Sequence, residues 1–181
     1  MAYHGVVIPN ALMATNIDSY NRSVVDAAAQ DNGNLLVMGA RSTTAGEGEV
    51  FDVSQPVTGS LTNLWMAYSG DEIVVTNAQY KGLDPDPRNF FNAIGDVFSA
   101  YKIAVGDIIL VNAEALAGTY TAGSSTHVNA TDQAWKLTWG TSQTASVVSY
   151  KLLAVKYISL ATGAIDSQRV TAYELECVAV A

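Results

Sequence analysis

The sequence lacks most of the features that mark metalloenzymes, nucleic-acid binders and disulfide-rich proteins. Its 181 residues include one cysteine and two histidines, so no internal disulfide can form. Nine basic side chains stand against 17 acidic ones, and this net charge of −8 disfavours contact with a phosphate backbone. No apolar run approaches the roughly 18 residues that span a bilayer, and the first residues lack a signal-peptide pattern. We therefore expect neither nucleic acid nor membrane as a partner.

Strand and turn patterns dominate what is present. With 49% hydrophobic residues, the chain can bury a sizeable core, and we expect residues 1–181 to form a single β-rich domain. Residues 1–13 are either its first strand or an extended arm that reaches a neighbour. Further strands are predicted at NRSVVD, NLLVMGA, VFDV, LTNLWMAY, DEIVVTNA and WKLTWG.

Turn signals divide these strands. Asp31-Asn32-Gly33 suits a tight turn, and an extended segment on each side predicts a hairpin there. Near the end, SVVSYKLLAVKYISL and DSQRVTAYELECVAV flank a short turn at residues 162–164, which predicts a C-terminal β-hairpin in a barrel or sandwich. Within it, Cys177 is expected to be a buried thiol. Polar, glycine-containing segments predict mobile loops at residues 41–49 and 120–131.

The segment PDPRNFFNAIGDVFSAYK carries a helix pattern. Asp86 is a suitable N-cap and Pro87 suits the first helical position. The apolar side chains then recur at helical spacing and predict one packed α-helix over about residues 87–102. We expect its buried face to comprise Phe90, Phe91, Ile94, Val97, Phe98 and Tyr101. Gly95 within it suggests close packing against another backbone.

Catalytic patterns are absent from the sequence. Asp84, Asp86, Asp96 and Asp107 are the acidic candidates for a metal or acid–base site. Asp84, Asp86 and Asp107 occupy turn positions where aspartate is favoured for local hydrogen bonds, and Asp96 lies off the apolar face of the predicted helix. His4 and His127 have no evident partner and no zinc spacing. We therefore predict no catalytic, cofactor-binding or metal-binding residues, and expect a protein that is not an enzyme.

The order of motifs resembles the capsid decoration proteins, also called cement or head auxiliary proteins, of tailed bacteriophages. The resemblance covers residues 30–118, with a vaguer likeness at the end of the chain. It departs from the family at Ala100, where a basic residue is expected, and in a longer middle loop. The matching positions are Asn32-Gly33, Phe90 to Asn92, Gly95, Tyr101-Lys102, Gly106-Asp107-Ile108, Glu114-Ala115-Leu116 and Gly118.

This resemblance implies a virion protein on the capsid surface that binds the major capsid protein and stabilises the assembled shell. It also implies a homo-oligomer, with a trimer favoured. Two alternatives remain open: a tail, head–tail joining or spike component, and a carbohydrate-binding β-module. The second would use exposed aromatics, with Trp65, Trp135 and Trp139 as candidates, although strand alternation favours core positions for them.

Overall fold

The protein is β-rich throughout the residues that the structure, a computed structural model, describes: 3–43, 48–69, 73–76, 81–84, 86–162 and 166–180. Of residues 73–76 and 81–84 only the backbone is described. Short 3-10 turns lie at Met13–Thr15, Asp18–Tyr20, Pro87–Asn89 and Ala113–Ala115. The strands are β1 Val7–Ala11, β2 Asn21–Val25, β3 Leu35–Arg41, β4 Val50–Ser54, β5 Trp65–Ala67, β6 Ile73–Thr76, β7 Lys81–Asp84, β8 Val97–Lys102, β9 Ile108–Asn112, β10 Leu116–Ala117, β11 His127–Asn129, β12 Leu137–Gly140, β13 Ser149–Ala161 and β14 Ser167–Ala179.

Five strands close into a barrel in the order β2-β4-β3-β5-β8. Of the predicted barrel or sandwich, a barrel forms, although the C-terminal hairpin lies outside it. All pairs of the barrel are antiparallel except the parallel pair β2–β4. Strands β6 and β7 pair only with each other in the described part of the chain. Closure leaves the barrel without free strand edges, which removes a route to edge-to-edge aggregation.

The other large sheet has seven strands in the order β1-β9-β14-β13-β11-β12-β10. The strands β13 and β14 of the predicted C-terminal hairpin do pair antiparallel along their lengths, from Ser149↔Ala179 to Ala161↔Ser167. The predicted turn spans residues 162–164, of which 163 and 164 lie outside the described residues. Strand β1 forms an edge of this sheet through its antiparallel pairing with β9, so residues 7–11 belong to the sheet of their own chain.

Strand alternation produces two adjacent cores. Leu36, Trp65 and Phe98 point into the barrel, whereas Leu35, Met66 and Tyr101 from the same three strands point the other way. The second set packs with side chains of the seven-stranded sheet, including Ile109, Val128, Tyr150, Leu175 and the buried Cys177. The sheet thus packs against the β3–β5–β8 side of the barrel.

The predicted α-helix over residues 87–102 is wrong. Only one 3-10 turn, Pro87–Asn89, forms at its start, and its end is strand β8, paired antiparallel with β2. Of the six side chains expected on a buried face, Phe98 and Tyr101 are buried, Phe90 is half-buried, and Phe91, Ile94 and Val97 are exposed. Phe98 and Tyr101 face opposite sides of one strand, and both are buried because each side has a core. Buried side chains three residues apart, at 98 and 101, therefore match the spacing of a helix face although the segment is a strand.

Asp86 and Pro87, which predicted the start of a helix, do start a helical turn, but only a single 3-10 turn forms. The Asp86 carboxylate accepts a hydrogen bond from the Arg88 amide at 3.0 Å, and Pro87 opens the 3-10 turn. Phe90 then returns to extended backbone, with φ −82° and ψ 137°. Gly95 has φ +79°, and no atom lies within 4 Å of the position that a Cβ would occupy there. Its role is therefore a left-handed turn and not the close packing predicted.

The turn predicted at Asp31–Gly33 forms, but the hairpin around it does not. The Asn34 amide donates to the Asp31 carbonyl at 3.2 Å, and Gly33 has φ +92°. Strands β2 and β3 are nevertheless not neighbours, because β4 lies between them in the barrel. The first predicted loop, 41–49, falls partly outside the described residues, at 44–47. The second, 120–131, contains strand β11.

Candidate functional site

Large apolar side chains are exposed at one end of the barrel, in the segment where the helix was predicted. Ile94 is 69% exposed and Val97 48%. Val97 pairs with Val25 across β2 and β8. Ile94 lies with Val25 and Ala27 around a cavity of about 280 Å³, which Asp26, Ser42 and Asp52 also line. We call Val25, Ala27, Ile94 and Val97 the barrel-end surface. Exposed apolar patches can mark binding sites.

Backbone hydrogen bonds hold the turn that presents Ile94. The Gly95 amide donates to the Asp26 carbonyl at 3.0 Å, and the Asp96 amide donates to the Ala93 carbonyl at 3.1 Å. Just before the turn, Asn92 and Gln30 exchange backbone hydrogen bonds of 2.8 and 2.9 Å. Ile94 is therefore displayed on an anchored turn, which lowers the entropy cost of ordering it in a complex.

A buried polar chain supports this turn from below. The Gln30 side chain is fully buried; its amide nitrogen donates to the Asp26 carboxylate at 2.8 Å and its amide oxygen accepts from Asn34 at 2.8 Å. The Asn92 amide nitrogen adds a bond to the Gln30 carbonyl at 3.0 Å. Apart from the buried Asn34 Oδ1, which has no hydrogen-bond partner among the described residues, these side-chain amide groups are paired, and the network positions the barrel-end surface.

A second exposed apolar surface lies on strand β13. Leu153, Val155 and Tyr157 are exposed there, and we call them the hairpin surface. The Arg169 guanidinium from β14 stacks 3.9 Å from the centre of the Tyr157 ring. Val155 pairs across the hairpin with Tyr173, which packs against Trp139 at a ring separation of 5.0 Å.

A groove follows the N-terminal segment. Met13 and Val105, both exposed, line two adjoining cavities of about 550 and 430 Å³. The buried Asp107 carboxylate fixes its floor, accepting from the amides of Met13 and Ala104 at 2.8 Å each. Burial raises the pKa of Asp107, and these two amide bonds oppose the rise. The residue thus acts as a structural clamp between the segment and the turn at Ala104.

The acidic candidates whose side chains are described, Asp86, Asp96 and Asp107, do not form a common site. Asp86 makes a buried ion pair with Arg88 at 2.8 Å, Asp96 is exposed in a turn, and Asp107 is the clamp just described. The side chain of Asp84 lies outside the described residues. Among the residues that the structure describes, no group of three His, Cys, Asp or Glu side chains is arranged to hold a metal ion.

His4 has partners that no sequence pattern indicates. Its Nδ1 lies 2.7 Å from one Asp31 carboxylate oxygen, and the Lys136 ammonium lies 3.0 Å from the other. The His4 ring also stacks on Phe91 at 4.9 Å. Since these residues are far apart in sequence, no local sequence motif predicts the cluster. It joins the N-terminal segment to two loops and contains no nucleophile poised for catalysis.

His127 and the lone cysteine lie outside these clusters, and each has a shifted pKa. His127 Nδ1 lies 2.9 Å from the Thr126 hydroxyl, and burial together with the Lys151 charge lowers its pKa. Burial raises the pKa of the Cys177 thiol to about 12, so the reactive thiolate form is suppressed. The expected burial of Cys177 is confirmed.

The tryptophans pack inward to different degrees. Trp65 is buried in the barrel core, and Trp135 is half-buried against the same core. Trp139 is half-buried with Tyr120 and Tyr173, and the three rings meet at interplanar angles of 47° to 77°. Rings at such angles offer no common flat platform of the kind on which a sugar stacks.

No protein-family model, curated protein or solved structure matches this chain. Among the described residues, no helix combines the length and apolar character of a membrane-spanning segment.

Proposed function

We propose that this protein is a virion structural protein that binds the outside of an assembled phage capsid and stabilises it. Its partner in this proposal is the major capsid protein, and its own form is a homo-oligomer, with a trimer favoured. The observation that carries the proposal is the barrel-end surface, where a rigid β scaffold displays Ile94 and Val97 to solvent. The motif resemblance over residues 30–118 supplies the kind of partner.

Several separate surfaces suit a protein that touches more than one neighbour. The barrel-end surface, the hairpin surface and the groove at Met13 lie on different elements of the fold. A decoration protein stabilises a shell by binding the assembled state better than the free subunits. Contact with two or more adjacent subunits at once meets that requirement, because free subunits offer only one half of such a composite site.

The alternatives differ in what they bind. A tail, head–tail joining or spike component assembles with itself into rings or fibres. A carbohydrate-binding module needs an accessible aromatic platform, and the tilted arrangement of Tyr120, Trp139 and Tyr173 does not favour that role. The barrel-end surface is apolar and therefore favours a protein partner.

Co-sedimentation tests the proposal directly. The purified protein is mixed with capsids of the phage proposed to encode it and, separately, with free coat protein. We expect saturable binding to capsids and little binding to free subunits. Self-assembly into rings or fibres without capsid binding would favour the tail or joining role, and a monomer that binds neither would contradict the proposal.

A further inference from the structure

Two arginines converge on one aromatic ring, which packs against the barrel core beside β2. The Arg22 guanidinium, from β2, lies 5.7 Å from the centre of the Phe51 ring, and the Arg41 guanidinium, from β3, lies 5.9 Å from it. Strand β4, which carries Phe51, runs between β2 and β3. Together with Asn21, Ser23 and Glu49, these residues line a polar cavity of about 260 Å³. We call Arg22, Arg41 and Phe51 the arginine patch.

The guanidinium groups keep most of their hydrogen-bonding capacity. Arg22 donates one bond, at 3.2 Å, to the Asn21 carbonyl, and no carboxylate of the described residues lies within ion-pair distance of it. Arg41 approaches Glu49 at 3.8 Å, beyond hydrogen-bond range, and both side chains are largely exposed. A guanidinium has five N–H donors in a fork that matches a carboxylate. Contact with the Phe51 ring restricts the orientations of both guanidinium groups before a partner binds.

We propose that the arginine patch binds an acidic peptide segment of a partner protein, with one or two carboxylates on Arg22 and Arg41 and an apolar contact on Phe51. Arginine and aromatic residues are the side chains most enriched in interface hot spots. The inference goes beyond the capsid proposal, since it assigns a ligand chemistry to a surface that the capsid proposal does not use.

The charge of the whole chain makes this patch selective. With a net charge of −8, most of the surface repels an acidic segment, and two adjacent arginines create a local exception. The same charge repels a long polyanion such as nucleic acid, whose phosphates would extend beyond the patch. A short acidic segment is therefore the favoured ligand, and the patch fixes where it docks.

Titration with a hexaglutamate peptide, followed by two-dimensional NMR in 20 mM salt, tests the proposal. We expect saturable shifts confined to residues 21–23, 41 and 49–51, which weaken at least fivefold in 200 mM salt. Arg22→Gln with Arg41→Gln should weaken binding at least tenfold. The matched control, Lys151→Gln with Lys156→Gln, removes two positive charges elsewhere and should change binding less than twofold.

Glu49→Gln gives an independent variant that leaves both arginines in place. Because Glu49 lies beside Arg41, its neutralisation should tighten hexaglutamate binding about two- to threefold. This result keeps the proposal testable if the double arginine variant does not fold. Absence of saturable shifts, equal loss of binding in the lysine control, or tighter binding of a twelve-nucleotide DNA strand at the same residues would overturn the proposal.

Discussion

Phe98 and Phe91 are seven residues apart, yet burial gives them opposite roles. Phe98 is 5% exposed within the barrel core, whereas Phe91 is 45% exposed against His4. Phe98→Ala should lower the free energy of unfolding by about 3 to 5 kcal/mol because it leaves a cavity. Phe91→Ala should cost less than about 1 kcal/mol. Urea unfolding of the two variants measures both, and equal costs would contradict the placement of β8.

The buried Asp86–Arg88 pair makes the free energy of unfolding depend on pH in the acidic range. Arg88 lowers the pKa of Asp86 through its side-chain hydrogen bond, while burial opposes that effect. A carboxyl group with a folded pKa below its unfolded value contributes stability that is present above pH ~4 and lost as the pH falls through the folded pKa. Asp86→Asn removes the carboxylate that pairs with the Arg88 charge. It should lower the free energy of unfolding by roughly 3 kcal/mol at pH 6.

The difference in the free energy of unfolding between the wild-type protein and Asp86→Asn should therefore shrink as the pH falls below ~4. Urea unfolding from pH 6 to pH 3 measures this change. A stability difference that stays constant over the whole range would show that the pair does not titrate with folding. Glu176→Gln, at a half-buried acid outside the pair, serves as the control for general charge effects.

At the scale of elements, the turn between the 3-10 turn and β8 depends on Gly95. Its φ of +79° lies in the left-handed region, where a Cβ costs roughly 1 to 2 kcal/mol even in open space. Gly95→Ala should lower the free energy of unfolding by that amount. Gly48→Ala, also without atoms within 4 Å but without a positive φ, should change it by less than about 0.5 kcal/mol. Similar costs for both would contradict the turn.

The pairing of β8 with β2 offers a direct test of strand against helix in this segment. Nuclear Overhauser contacts should join Val24 with Phe98 and Arg22 with Ala100, as the antiparallel register requires. Sequential amide contacts and i to i+3 contacts through residues 90–102 would instead indicate the helix and contradict the strand.

Sequence reasoning succeeded where one local rule decides the outcome. Asp86 and Pro87 do start a turn, Asp31–Gly33 does form one, and strand alternation around Cys177 is real. It failed where the outcome depends on distant partners. The burial of Tyr101 requires the second core, and β4 separates β2 from β3 only through the closed order of the barrel. No local pattern encodes either fact.

At the scale of the whole molecule, the candidate surfaces were harder to predict than the strands. Ile94 and Val97 fit a buried helix face by spacing. Ile94 is instead exposed on a turn that hydrogen bonds to Asp26 and Gln30 help to hold, and Val97 is exposed at the start of β8. Arg22, Arg41 and Phe51 come from three strands that the barrel brings together. Because the barrel itself has no free strand edge, its contacts with a partner are made by side-chain patches of this kind.

The central functional claim is that the barrel-end surface binds the capsid. The most direct measurement compares capsid co-sedimentation of the wild-type protein with Ile94→Asp and with Val57→Asp, a control at a side chain that is 48% exposed on another loop. Urea unfolding first establishes that both variants are folded. We expect Ile94→Asp to weaken capsid binding at least tenfold and Val57→Asp to change it less than twofold. Wild-type binding by Ile94→Asp would contradict the claim.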